Sequence, residues 1–369
     1  MKQYIIRTFT TLLAIGFLLA QASHACTGIT LRSQDGTVVF GRTLEWGSFD
    51  LLSRLIIVPR GQTFTSVMPD GKPGFAWQAV YGVAGMDLLE KDQLFDGMNE
   101  KGLSVNLFYH PGYSDYPEYD PDKASTTISS MDLNQYLLTT CATIEEVKAA
   151  LADLTVVGVL EPAIGMAPNV HFIATDPSGK AIVIEFTDGE VKIHDAPLGV
   201  ITNSPNYDWH MTNLRNYINL SPVAIPMKDV KDLNFAPLGG GSGMIGLPGD
   251  FTPPSRFVRA VAFSQTARPT ATGEETMYEI FRILDNFNVP LGAAEGEEDK
   301  TKIDGMRSAT LLTTAYDTRN LVMQYHTMHN RRVRQVDLKR IDFSRFGDLQ
   351  RFPIDQNKSQ DILDATPGI

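Results

Sequence analysis

The spacing of apolar and polar positions divides the chain into runs of short strands and a smaller number of helices. Residues 27–31 and 37–43 read as strands around Ser33-Gln34-Asp35-Gly36, a hairpin turn signal. With Asp35-Gly36 as a two-residue loop, Cys26 would lie opposite Glu45. Arg42 and Glu45 are three positions apart, so a regular strand points them to opposite faces. A bulge or strand end near Leu44 is needed to bring both to Cys26. Further strands are expected at 55–58, 77–84 and 102–109, then a meander at 170–174, 181–186 and 190–194. Its turns, Asp176-Pro177-Ser178-Gly179 and Asp188-Gly189, have the residues that tight turns demand. Residues 309–316 and 320–327 pair around Asp317-Thr318-Arg319.

Helical periodicity is less frequent. Thr143 and Glu146 form a capping box ahead of Ile144, Val147 and Leu151. A second helix follows Asp208, with Leu214, Tyr217 and Ile218 apolar, and a third opens at Thr252 or Ser255 to bury Phe257, Ala260 and Val261. Met277, Ile280, Phe281 and Leu284 mark a fourth, at spacing i, i+3, i+4, i+7. Strands in runs, then helices, then strands again predict an α+β fold with antiparallel sheets. Residues 236–254 are a Gly- and Pro-rich loop, and 292–300 an acidic one. Apolar patterning resumes at once on both sides, so neither is a domain linker. The region after Phe343 reads as a tail draped over the surface, and the basic cluster Arg331, Arg332, Arg334, Lys339 and Arg340 as the solvated face of a strand.

The amino terminus differs from all of this. Residues 1–7 carry Lys2 and Arg7 and no acid, residues 11–20 are mostly apolar, and Ser23-His24-Ala25 puts small residues at the two positions a signal peptidase reads. The pattern is that of a secretory signal over residues 1–25, too short for a stable spanning helix. Taking 25 residues from 369 leaves 344, and loss of Lys2 and Arg7 moves the formal charge from −11 to −13. That length and 43% hydrophobic content suit one globular domain, residues 26–369. The acidic balance argues against nucleic acid or an anionic membrane as partner. No later run is long enough for membrane insertion.

Cleavage after Ala25 would leave a cysteine as the first residue, and the chain has only one other, Cys141. Three readings compete for Cys26: a lipidation site, a nucleophile with its own α-amine as base, or an accidental cysteine near a processed end. Lipidation usually wants Leu or a similar residue three places before the cysteine and a small residue two before, where Ser23 and the bulky His24 stand. A thiol and an amine on one residue are held together by covalent geometry and both titrate near neutral pH, at ~8.5 and ~8. Other chemistry lacks its motif. Gly239-Gly240-Gly241-Ser242-Gly243 is followed by Met244, so it fits neither a P-loop nor a nucleophile elbow. The histidines show no metal-ligand spacing, with His171 and His194 in strand runs as packed or surface residues. Cys141 lies just ahead of a capped helix, as a small buried hydrophobe with a free thiol.

Several segments together resemble the choloylglycine hydrolase family, which includes conjugated bile salt hydrolases and penicillin V acylases. They are Cys26-Thr27-Gly28-Ile29, Gly41-Arg42-Thr43-Leu44-Glu45-Trp46-Gly47 and Asp96-Gly97-Met98-Asn99-Glu100-Lys101-Gly102-Leu103. Pro111-Gly112-Tyr113, Thr202-Asn203-Ser204-Pro205 and Gly246-Leu247-Pro248-Gly249-Asp250 follow in family order, with Ser255-Arg256-Phe257 after them. The resemblance implies an N-terminal-nucleophile hydrolase with a four-layer αββα sandwich of two antiparallel sheets. It implies that Cys26 attacks an amide carbonyl while its freed α-amine takes the thiol proton. It also implies that Arg42 favours the thiolate, that Asn203 and Tyr109 form the oxyanion hole, and that Arg256 orders the site. Glu45 stands where the family usually has aspartate, and Tyr109 where many bile salt hydrolases have asparagine. Implied substrates are small amides with a bulky apolar acyl group: glycine or taurine bile salts, penicillin V or acyl homoserine lactones. The acyl pocket is expected from Phe108, Tyr109 and residues 46–54. No cofactor or metal is implied. The compartment implied is the periplasm or exterior of a Gram-negative bacterium, and the assembly a homo-oligomer, a tetramer as in many family members. The rival from another class is a lipid-anchored periplasmic binding or structural protein that uses Cys26 only as its anchor.

Overall fold

The computed structural model describes residues 25–294, 305–355 and 357–367. The signal segment over residues 1–24 lies outside them. Five strands form one antiparallel sheet in the order Thr27–Arg32, Val38–Glu45, Thr310–Asp317, Val322–Thr327, Arg334–Asp337. Eight form a second: Glu190–Asp195, Ala181–Thr187, Val170–Thr175, Ser104–Tyr109, Leu94–Asn99, Val83–Asp87, Arg54–Val58, Gln350–Pro353. The sheets pack face to face across Phe40, Phe108 and polar ties such as Thr314 Oγ1 to Asp96 (2.7 Å). Helices Pro253–Thr266 and Gly273–Leu284 cover the five-stranded sheet, and Ser130–Thr140 covers the other. The fold is therefore an α+β, four-layer αββα sandwich. Among the described residues no helix is long and apolar enough to cross a membrane.

Local sequence explains most elements. Thr143 caps the helix Ile144–Ala152 by accepting from the Glu146 N–H, and Thr272 caps Gly273–Leu284 through Glu275. The latter buries Met277, Ile280, Ile283 and Leu284. Three readings need correction, and one helix was not anticipated. The strand expected over 77–84 is two, Pro73–Gln78 and Val83–Asp87, because the Val80 and Tyr81 N–H groups both turn to Thr139 O. The helix Ser130–Thr140 has no clear apolar stripe, since it buries Asn134, Gln135 and Thr139 beside its leucines. Its polar face is used instead: Gln135 Oε1 accepts from Leu94 N, and Thr139 Oγ1 from Trp77 Nε1.

The tail after Phe343 returns as the edge strand Gln350–Pro353 on Arg54–Val58. Of the basic cluster only Arg334 lies in a strand. Arg331 pairs with Asp285 and Arg332 with Asp361, while Lys339 and Arg340 form a 3-10 turn.

Candidate active site

The first hairpin positions the nucleophile candidate, and its register is one step from the expected one. Thr27 pairs with Thr43 and Gly28 with Arg42, while Ser33 N donates to Thr37 O. The loop is thus the three residues Gln34-Asp35-Gly36, with Gly36 at φ +85°, the left-handed position that glycine fills without strain. Continued by one step, this register sets Cys26 opposite Leu44 rather than Glu45. Arg42, two residues from Leu44, then shares a face with Cys26 by simple alternation. Glu45 falls on the other face. Opposite it the neighbouring strand carries a bulge, since the register slips between Thr310↔Glu45 and Leu312↔Leu44.

All six candidate residues converge. Cys26 is buried, and its N donates to Asn203 Oδ1 at 2.8 Å. That oxygen also accepts from Arg256 Nη2 at 2.7 Å, while Asn203 Nδ2 donates to Tyr109 O at 2.6 Å. Arg256, in the first turn of the helix Pro253–Thr266, binds Cys26 O and, at 3.0 Å, Thr27 Oγ1. One guanidinium thus fixes both the Cys26 carbonyl and the carboxamide facing its nitrogen. Arg42 donates to Leu107 O at 2.7 Å and lies over the Phe108 ring at 4.4 Å. Glu45 Oε1 accepts from Thr310 Oγ1 at 2.9 Å, while its Oε2 has no hydrogen-bond partner among the described residues.

Burial governs the electrostatics. It pushes the Cys26 thiol up, against the Arg42 and Arg256 charges and a hydrogen bond from the Glu45 backbone. It pushes Glu45 to about 8, with the Arg256 charge and the hydrogen bond from Thr310 opposing it. It lowers Arg256 to about 10, against the Glu45 charge. None of the hydrogen bonds or charges acting on Cys26 comes from a histidine. The second cysteine, Cys141, is also a free buried thiol, raised to about 11 by burial.

An apolar cavity of about 80 Å³ opens beside Cys26. Trp46 stacks edge-on against Phe49 and Tyr109, with ring centroids 5.6 and 5.7 Å apart. Leu51, Leu88, Leu89, Met131 and Ile164 supply the rest of the apolar wall. Phe108, expected there, is absent. Strand alternation gives Leu107 and Tyr109 to the cavity and turns Phe108 towards Gly28 and Arg42. The wall residues 88–93 were not legible in the sequence as a site. Leu89, Glu90 and Asp92 all have positive φ, near 55–62°. Asp92 is held by Arg54 (2.8 Å) and Arg351 (2.7 and 2.8 Å), and Lys91 pairs with Glu161 across the mouth (2.6 Å).

His110, His171 and Glu185 bring three possible metal ligands within 4.8 Å of one another. The two imidazoles, however, stack face to face, with centroids 4.2 Å apart and 4° between their planes, so their nitrogen lone pairs do not converge on one ion. Glu185 Oε1 already accepts the Tyr207 N–H. The donor set suits a hydrogen-bonded carboxylate better than a metal.

The buried thiol, the guanidiniums of Arg42 and Arg256, and a carboxamide with its orientation fixed can attack a carbonyl and hold the negative charge that develops. The comparisons agree with that chemistry. Residues 26–355 match the family described as linear amide C–N hydrolases, choloylglycine hydrolase family. A bile salt hydrolase/transferase of Clostridium perfringens is 31% identical over 319 residues, 85% of this chain and 93% of that one. A penicillin V acylase of Pectobacterium atrosepticum is 26% identical over 341 residues, 87% of this chain and 82% of that one. The crystal structure of a mutant conjugated bile acid hydrolase from Clostridium perfringens superposes with a TM-score of 0.78 at 28% identity, covering 92% of this chain and 99% of that one. The chain belongs to the choloylglycine hydrolase family and is a linear amide C–N hydrolase.

Proposed function

We propose that the mature enzyme begins at Cys26 and hydrolyses small amides whose acyl part is slender and apolar, of the phenoxyacetyl or straight-chain type. The observation that carries this reading is the narrow apolar cavity beside the Cys26 thiol. A cavity of about 150 Å³ accommodates one benzene, so 80 Å³ admits a straight chain or the leading edge of a phenyl ring whose remainder lies in the mouth, and a four-ring steroid only if residues 88–93 move.

In the proposed reaction the Cys26 sulfur attacks the amide carbonyl carbon, and its proton passes to the α-amine freed by loss of residues 1–25. The carbonyl electron pair is held by the second hydrogen of Asn203 Nδ2 together with the Tyr109 backbone N–H, while Arg42 lowers the cost of the thiolate. Collapse breaks the C–N bond, and the ammonium delivers its proton to the leaving amine. Water then attacks the thioester, gives a proton to the α-amine, and releases the acid and the thiol. The raised thiol is consistent with a base that arrives only on processing. So is Glu45, a buried carboxylate whose second oxygen lacks a partner and which a new ammonium would complete. A lipid on Cys26 would need the sulfur at the surface, whereas the residue is 3% exposed.

Export and cleavage of residues 1–25 belong to the same proposal, with the mature enzyme in the periplasm or outside the cell. So does self-association. The excursion carrying the hairpin Lys228–Val230 and Leu233–Phe235 exposes Val223, Met227, Val230, Leu233, Phe235 and Leu238, and a second copy of the chain would cover them. The decisive experiment combines intact-mass analysis of the exported protein with a panel of penicillin V, an acyl homoserine lactone, glycocholate and taurocholate. A chain starting at Cys26 that prefers the first two is expected. A diacylated cysteine, or preference for the bile salts, overturns the corresponding part.

A further inference from the structure

Behind the Asn203 segment lies a buried polar cluster that the proposed chemistry does not use. Glu185, in the strand Ala181–Thr187, is 1% exposed. Its Oε1 accepts the backbone N–H of Tyr207 at 2.8 Å and faces His171 Nδ1 at 3.4 Å, and its Oε2 faces His194 Nε2 at 3.2 Å. One carboxylate thus gathers donors from two neighbouring strands and from the start of the helix Tyr207–Asn213. Burial works against its charge, but the surrounding imidazoles keep its carboxyl below the ordinary range. Isolated, such a charge would be costly, so the donors and the carboxylate hold one another in place.

Two arms lead from this anchor to the same dipeptide. His171 Nε2 faces Thr202 O at 3.1 Å, where only a donor fits. His210, in the helix whose first N–H Glu185 binds, places Nε2 against Asn203 O at 2.9 Å. The His210 ring is stacked on Phe257 at 4.6 Å, one residue beyond Arg256. The carbonyls on both sides of Asn203 Cα are therefore clamped. The Asn203 side chain is the group that meets Cys26 N, Arg256 and Tyr109 O.

We propose that Glu185 is a positioning residue for amide hydrolysis, fixing the Thr202–Asn203 backbone through His171 and His210 and so aiming the Asn203 carboxamide at the reacting carbonyl. The proposal rests on the role given above to Asn203. Misplacing a reacting group by about 1 Å costs on the order of 10²-fold in rate, and losing one oxyanion donor about 10²–10³-fold. Glu185→Gln keeps the shape and removes the charge. His210→Phe keeps the stack on Phe257 and removes only the donor to Asn203 O, so it serves if the first variant folds poorly.

Two measurements on the mature variants test it: kinetics with penicillin V, and amide hydrogen exchange over residues 201–206. Expected are a kcat lowered at least ~10-fold with KM within about threefold, and faster exchange in that segment. Unchanged kcat in the folded variants overturns the proposal, whether or not exchange quickens. A loss confined to KM also overturns it. Faster exchange beside a wild-type enzyme that hydrolyses no amide would keep the clamp and sink the hydrolase reading instead.

Discussion

Cys26 sits where burial and charge pull in opposite directions, and the balance in the uncleaved chain leaves its thiol protonated. Replacing it with alanine in the matured enzyme should lower amide hydrolysis by at least ~10³-fold without loss of fold, checked by initial rates and circular dichroism. The candidate residues that the structure brings together could be picked out in the sequence because they stand in short motifs. The roles of Thr310, Glu185 and His210 could not, since each depends on a contact that only the folded chain creates. Glu185 did leave a signal, a lone carboxylate inside the apolar run Ala181–Phe186. The buried histidines carry a pH prediction. Burial lowers His326 to about 4, first against nothing but the weaker pull of Asp285, and His210 to a similar value. Between pH 4 and the ordinary ~6.5 the unfolded chain binds protons that the folded one does not. Stability should therefore fall as pH drops through that window. His326→Phe, remote from the site and packed on Phe281, should flatten the slope by up to about 1.4 kcal/mol per pH unit in urea titrations.

At the scale of elements, the nucleophile hairpin shows which part of a turn can be read and which cannot. Ser33-Gln34-Asp35-Gly36 announces a turn, but Asp-Gly serves two-residue and three-residue loops alike. The extra residue moved Cys26 from opposite Glu45 to opposite Leu44 and resolved the parity problem of Arg42 without a bulge on its own strand. The bulge lies instead across the ladder at Leu311, where nothing in the local pattern marks it. The helix Ser130–Thr140 escaped for a related reason: its buried polar residues find their partners in other elements. Gly28 is the tight point of the hairpin. A Cβ there would stand 2.9 Å from Ile201, Phe40 and Phe108. Gly28→Ala should cost about 1–3 kcal/mol by overpacking and lower kcat as well, because the displaced strand carries Cys26. Thermal unfolding and steady-state kinetics on the same sample check both.

The whole molecule shows what no single stretch of sequence could. The antiparallel α+β class follows from strand order and turn chemistry, whereas the cavity beside Cys26 is assembled from six separate regions of the chain. The exposed apolar hairpin makes a prediction at this scale: Phe235→Glu with Leu238→Glu should reduce the mass seen by light scattering to that of a smaller assembly. The cavity wall makes another. Arg351→Ala leaves Asp92 held by Arg54 alone and loosens the positive-φ residues around it, so KM for an apolar amide should rise about 3–10-fold. The rate of Cys26 alkylation by iodoacetamide should stay within twofold.

That clamp has a consequence for the order in which the enzyme becomes competent. Cys26 is synthesised long before Arg351, yet Arg351 helps to pin Asp92 beside the wall of the cavity at Cys26. The cavity beside Cys26 therefore lacks this support until the edge strand Gln350–Pro353 has paired with Arg54–Val58. Closure of that late edge strand is therefore a step on which the shape of the cavity beside Cys26 depends.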